Sequence, residues 1–203
     1  IETNSFDTIC HEHLEFYSLK QIDWILKEAD LKVIDVEFNN INGGSFSVTA
    51  AKINSHYHPK TKHLQKIRND ELALGLDSID VFNNFKINID KNCKLLMKFL
   101  IGAKKKNKSV YGLGASTKGN VLLQYCGIDN TLIKAIGDVN EDKYGSYTPG
   151  TLIPLISEEE VLKRDPDYLL ILPWHFKDFF LSLSSIQGRT IIFPLPEFEI
   201  IKL

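Results

Sequence analysis

The sequence is poor in cysteine. Cys10, Cys93 and Cys126 are far apart and form no CxxC pair, which argues against a disulfide framework and a cysteine-rich zinc site and suits a reducing cytoplasm. No apolar run approaches the roughly 20 residues that a membrane helix needs, and no signal peptide opens the chain. These absences predict a cytoplasmic protein with no membrane partner and no metal site of its own.

An excess of basic residues is also lacking. The 203 residues include 24 Lys and Arg against 26 Asp and Glu, for a formal net charge of -2. Because phosphate neutralisation usually needs a basic excess, we expect no nucleic-acid partner. What is present, 43% hydrophobic and 25% charged residues, is typical of a globular protein. The chain begins with Ile1 and enters a motif directly, so we expect it to be part of a longer protein.

Three segments follow from the residue patterns. Residues 1–54 indicate a loop, a helix and a β-hairpin, which resemble the end of a domain because they cannot bury both faces of a sheet alone. Residues 55–108 are polar and helical in character, as expected of a helical linker. In residues 109–203, apolar strands alternate with helices. This α/β pattern predicts a Rossmann-like parallel sheet with helices on both faces.

Individual elements can be placed in the third segment. The predicted strands are Val110–Gly114, Ile133–Asp138, Tyr168–Leu172 and Thr190–Phe193. The predicted helices are Asn120–Tyr125, Glu158–Lys163 and Phe176–Ser182, with Ser157 as the N-cap of the second.

A glycine-rich turn, Gly112–Asn120, links the first strand to the first helix. Glycines allow a tight turn, and free N–H groups at a helix start attract anions. Asp138 ends the next strand, where dinucleotide-binding folds place a ribose-binding acid. The spacing matches neither GxGxxG nor a P-loop. The turn therefore predicts phosphate binding, with NAD as a weaker alternative and a tight turn without any ligand as the third.

Histidines supply the other candidate chemistry. His11 and His13 flank Glu12, a combination that offers a general base near neutral pH and a group to orient it. His56 and His58 form a second pair that could complete a metal site or lie at the surface. Trp174 and His175 follow a predicted strand at its carboxyl end, where they could line a cleft or form an aromatic plug.

Several motifs occur together in one order. They are Phe6–Leu14, Gly43–Phe46, Gly112–Asn120 with Leu122, Leu123 and Tyr125–Ile128, and Pro149–Thr151 with Ile153 and Pro154. This set resembles the three-domain, SAM-dependent C-methyltransferases of nucleotide-linked keto-deoxysugars. The resemblance implies that residues 1–54 end the S-adenosyl-L-methionine domain and that residues 109–203 form the C-terminal substrate domain. It places the zinc site and most of the S-adenosyl-L-methionine site upstream, in the remainder of the full-length methyltransferase.

The same resemblance implies residue roles. His13 would be the base that removes a proton from carbon 3 of the sugar, next to the ketone, with Glu12 as its partner and His11 as a neighbour. The family usually has tyrosine where this chain has Cys10, and a thiol is a weaker hydrogen-bond donor. The residues expected to bind the nucleoside-diphosphate sugar are Gly114, Ser116, Lys118, Asn120, Asp138, Trp174 and His175. The alternative is a non-catalytic module that binds a nucleotide sugar or NAD.

Overall fold

The computed structural model describes residues 1–203, apart from the side chain of Asn42. Its chain divides into two units. One unit contains Leu14–Lys86, and the other joins Ile1–His13 to Ile87–Leu203. This division does not follow the borders 1–54, 55–108 and 109–203, and the assignment of those segments to parts of a longer enzyme stays a prediction.

The unit Leu14–Lys86 contains a helix, a hairpin and a second helix. They are α1 (Leu19–Glu28), β1 (Leu31–Asn39), β2 (Ser45–Lys52) and α2 (Thr61–Leu74), and the unit ends within α3 (Ile79–Lys105). β1 and β2 pair antiparallel. The core of this unit consists of Leu19, Val33, Val36, Leu64 and Ile67. The predicted helix and hairpin are thus present, and both helices pack on the hairpin strand β1.

A six-stranded sheet forms the centre of the other unit. Its strands, in chain order, are β3 (Val110–Leu113), β4 (Ile136–Asp138), β5 (Leu155–Ser157), β6 (Tyr168–Ile171), β7 (Thr190–Phe193) and β8 (Glu199–Lys202). Their order across the sheet is β5-β4-β3-β6-β7-β8. All pairings are parallel except that of the edge strand β8 with β7. The chain leaves β3 toward β4 on one side and later returns as β6 on the other, so the strand order switches at β3.

The sheet is flanked by helices, which confirms the predicted α/β class. The rest of α3, α4 (Thr117–Cys126), α5 (Glu158–Lys163) and α6 (Lys177–Ser182) supply them. Every residue of β3 is buried, as expected for a strand covered on both faces. The short strands β5 and β8 were missed because a three-residue strand and a largely exposed edge strand lack a strong apolar pattern. No described helix is both long and apolar enough to cross a membrane.

One disulfide joins Cys93 on α3 to Cys126 at the end of α4. The two Cα atoms are 5.4 Å apart, although the residues are separated by 33 positions in the sequence. Spacing alone gave no sign of this pair. The expectation that the cysteines form no disulfide framework did not anticipate this bond, while Cys10 is free.

The N-terminal segment Ile1–His13 belongs to the unit that contains the six-stranded sheet. A short 3-10 turn, Phe6–Thr8, packs against α4, and the Phe6 ring lies 5.0 Å from that of Tyr125. The side chain of Asn4 donates to the Pro196 carbonyl oxygen at 2.9 Å. These contacts hold the loop with the two neighbouring histidines against the sheet-containing unit.

Candidate functional site

A cavity of about 500 Å³ lies where β3 and β4 end. Its wall includes the residues of the glycine-rich turn from Gly114 to Thr117, together with Asn120 of α4. Asp138 at the end of β4 and Lys143 beyond it also line the space. In open parallel sheets, ligands bind at this edge, beside the point where the strand order switches.

Asp138 holds the glycine-rich turn in place. Its Oδ2 atom accepts the backbone N–H of Ala115 at 2.8 Å and the ammonium of Lys143 at 3.0 Å. Its Oδ1 atom accepts the N–H of Asn140 at 2.9 Å. Both oxygens of this buried carboxylate are thus engaged within the protein. A ribose hydroxyl, which the NAD alternative places at Asp138, would have to compete with these contacts.

The backbone N–H groups of the turn fall into two sets. One set donates within the protein: Gly112 to the Ala135 oxygen, Gly114 to the Gly137 oxygen, Ala115 to Asp138, Gly119 to the Ser116 hydroxyl, and Asn120 to the Ser116 carbonyl. Within the described part of the chain, no acceptor is recorded for the N–H groups of Ser116 and Thr117, both of which line the cavity. These two groups at the start of α4 are suited to an anion.

The glycines at positions 114 and 119 of the turn are required by the packing of the protein itself. Gly114 has a φ of +81°, and a Cβ atom there would lie 2.6 Å from the Pro173 ring. A Cβ atom on Gly119 would lie 3.1 Å from Leu172. Packing against the end of β6 therefore explains both glycines without any ligand, so their presence alone is not evidence of phosphate binding.

The cation at the cavity is a residue that the sequence did not single out. Lys143 lines the cavity, and its ammonium donates to the Ala115 carbonyl at 2.7 Å as well as to Asp138. It follows no recognisable motif, because only the loop after β4 brings it to the turn. Lys118, the predicted cation, is not among the lining residues and acts electrostatically on Asp7 and His175 instead.

Trp174 is buried, with 6% of its surface exposed, and contributes to the interior. Its indole N–H donates to Oδ2 of Asp7 at 2.7 Å. Asp7 is itself only 2% exposed, and burial raises the pKa of its carboxyl, an effect that the Trp174 hydrogen bond and Lys118 partly oppose. The neighbouring His175 has its pKa lowered by burial and then by Lys118, which favours the neutral imidazole. Neither Trp174 nor His175 is among the lining residues of the cavity.

The loop with the two histidines is mostly exposed. The Nε2 atom of His11 lies 3.9 Å from Oε1 of Glu12, and the two side chains are 83% and 60% exposed. The Nδ1 atom of His13 lies 2.7 Å from the carbonyl oxygen of Thr8. A carbonyl can only accept, so Nδ1 carries a proton, and a neutral ring held in this way has its lone pair on Nε2. That arrangement is what a general base requires.

The alternative that His56 and His58 complete a metal site has no support from the geometry. Among the described residues, no three His, Cys, Asp or Glu side chains are close enough together to hold an ion. The ring of His56 stacks on that of Tyr57 at 4.2 Å, as a surface side chain would. The predicted residues therefore fall into three places: the cavity (Gly114, Ser116, Asn120, Asp138), the region beside it (the buried Trp174 and the half-buried His175, with Lys118 close by), and the exposed loop (His11, Glu12, His13).

Comparison with known proteins places this arrangement in a family. The family model described as the C-methyltransferase C-terminal domain matches residues 40–196. The chain is also 29% identical over 204 residues to the C-methyltransferase NovU of Streptomyces niveus, an alignment that covers 99% of this chain and 48% of NovU. The chain thus spans about half the length of this curated relative. The match covers the hairpin strand β2, the glycine-rich turn and the cavity, and the chain belongs to the C-methyltransferase C-terminal domain family.

Proposed function

We propose that this chain is the C-terminal part of a SAM-dependent C-methyltransferase that acts on a nucleotide-linked keto-deoxysugar. Family membership and similarity to about half of NovU support this reading. The observation that carries the substrate class is the cavity at the glycine-rich turn. There, the Lys143 ammonium and the N–H groups of Ser116 and Thr117 surround a space suited to the diphosphate of a nucleotide sugar.

Catalysis, in this proposal, begins at His13. Its Nε2 lone pair removes the proton from carbon 3 of the sugar, next to the ketone, and the ring becomes an imidazolium. Its Nδ1–H stays on the Thr8 carbonyl and fixes the orientation of the ring. Glu12 orients the sugar or the base, and the enolate that forms is the nucleophile. His11 lies beside Glu12 and completes the polar loop.

S-adenosyl-L-methionine supplies the methyl group that the enolate receives. We assign no residue of this chain to its site, because the sequence carries no second glycine-rich strand–helix turn for it. We expect that site, and a structural zinc site, in the remaining part of the full-length enzyme. The contribution of this chain is to bind the nucleotide part of the substrate and to present the base.

The alternative is a non-catalytic module that binds a nucleotide sugar or NAD, and one structural observation stands against NAD. Asp138 would be the ribose-binding acid, but its two oxygens already accept Ala115 N–H, Asn140 N–H and Lys143. A nucleotide sugar bound through its diphosphate does not need that carboxylate. The cavity can therefore serve the proposed substrate without breaking the contacts of Asp138.

Titration of the chain with a nucleoside-diphosphate sugar and with NAD, followed by calorimetry, tests the proposal. We expect saturable binding of the sugar nucleotide alone. Lys143→Met should weaken it about 10- to 100-fold, as loss of a hydrogen bond to a charged group would. Lys163→Met, on α5 and paired with Glu159, is the control and should bind normally. Saturable binding of NAD, or equal affinity in both variants, would contradict the proposal.

A further inference from the structure

We propose that the buried hydrogen bond between Asp7 and Trp174 is a positioning device that holds the His13 base loop on the sheet-containing unit. The inference deepens the proposed function and rests on His13 being the base. It assigns a role to two residues that do not touch the cavity or the expected reacting atoms. Asp7 and Trp174 are therefore positioning residues rather than catalytic ones.

The contact itself is unusual for a residue that serves only stability. The Asp7 carboxylate is 2% exposed and has a single hydrogen-bonded oxygen, because Oδ1 has no hydrogen-bond partner among the described residues. Burial of a polar group without full hydrogen bonding is unfavourable. What the carboxylate does supply is a directed contact to the Trp174 indole N–H, across 167 positions of sequence.

The residue after Asp7 contacts the proposed base, His13. Thr8 is the next residue, and its carbonyl oxygen accepts both the Cys10 N–H at 3.1 Å and the Nδ1–H of His13 at 2.7 Å. The Thr8 hydroxyl in turn donates to the Ser5 carbonyl at 2.8 Å. The position of the Thr8 carbonyl thus depends on the short turn Phe6–Thr8, which is fixed by Asp7. Trp174 lies in the short 3-10 turn that follows β6, and the loop is attached at this point.

Nitrogen-15 NMR of the histidine rings in this chain tests the inference, because it reports which ring nitrogen carries the proton. We expect His13 to show Nδ1–H in the wild type. Asp7→Ala and Trp174→Phe should each release the ring to a mixture of tautomers with altered shifts. Asp7→Asn keeps a carbonyl acceptor for the indole, so it should restore the wild-type pattern. Trp24→Phe removes the other tryptophan, which is 65% exposed, and should change nothing at His13.

Two results would overturn the inference. One is a wild-type His13 protonated at Nε2. The other is an unchanged His13 signal in a folded Trp174→Phe variant, and should Asp7→Ala fail to fold, Trp174→Phe and Asp7→Asn still decide. The measurement needs no ligand, so its failure differs from a failure of the proposed function, which would appear as absent sugar-nucleotide binding.

Discussion

The carboxylate of Asp138 accepts the backbone N–H of Ala115 at 2.8 Å, so the acid at the end of β4 fixes the turn that follows β3. Lys143 reinforces the link, since its ammonium reaches both the Asp138 carboxylate and the Ala115 carbonyl. One wall of the cavity is thereby made rigid before any ligand arrives. A preorganised wall lowers the entropy that ligand binding must overcome.

Removal of this carboxylate should destabilise the protein. Asp138→Ala leaves the buried Ala115 N–H without its acceptor, and we expect a loss of about 1–3 kcal/mol in the free energy of unfolding. Urea denaturation followed by circular dichroism measures it. Asp142→Ala, an exposed acid of the next turn, is the control and should lose at most about 0.5 kcal/mol. Equal losses in the two variants would show that Asp138 does not hold the turn.

Alanine substitutions at two glycines distinguish the cost of backbone strain from the cost of a steric clash. Gly114 and Gly127 both have positive φ angles, +81° and +68°, but only at Gly114 would a Cβ atom meet another residue, Pro173 at 2.6 Å. Gly127→Ala should lose about 1–2 kcal/mol from the left-handed conformation alone. Gly114→Ala should lose about 1–3 kcal/mol more, as overpacking does. Thermal unfolding of both variants checks the difference, and similar melting temperatures would contradict it.

Alanine substitutions at two serines distinguish the loss of a helix cap from the loss of a ligand contact. Ser116 and Ser157 each accept the N–H of the residue three positions on, both at 3.1 Å. Either change to alanine should lose about 1 kcal/mol of stability. Of these two serines, Ser116 lines the cavity and Ser157 does not, so only Ser116→Ala should also weaken sugar-nucleotide binding. Calorimetry on both variants tests this, and weaker binding in Ser157→Ala would argue for an indirect effect.

The raised pKa of Asp7 predicts how stability depends on pH. The folded protein binds the Asp7 proton more tightly than the unfolded chain, in which the pKa is near the ordinary aspartate value of 3.8. The Asp7 contribution is therefore most favourable below that value and is lost as pH rises through the higher folded pKa. Asp7→Asn removes this loss, so the variant should gain stability relative to wild type between acid and neutral pH. Urea denaturation at several pH values measures the gain, and parallel curves would contradict it.

The chain by itself should not transfer a methyl group. It spans 48% of NovU and, by our proposal, lacks the S-adenosyl-L-methionine site. Incubation with S-adenosyl-L-methionine and a nucleotide-linked keto-sugar should give no methylated product by mass spectrometry. Addition of the remaining part of the enzyme should give product. Product from the chain alone would show that a methyl-donor site lies within these 203 residues.

Local patterns determined much of this protein. The uninterrupted apolar strands at residues 110, 168 and 190 predicted a covered parallel sheet, and the N-cap Ser157 predicted the start of α5. The ordered motifs predicted the methyltransferase family, which the family model confirms. Such features depend on residues that are close together in sequence or on motifs that recur in a fixed order.

Only the tertiary structure decided which distant residues meet. Lys143 lines the cavity because the loop after β4 folds back to the turn after β3, and no motif marks it. Asp7 reaches Trp174 across 167 positions, and Cys93 reaches Cys126 across 33. Strand order and helix packing bring these pairs together, and local periodicity predicts neither of them. The sequence therefore determined the two candidate motifs, while the fold decided that Asp138 holds the turn and that Asp7 bonds to Trp174.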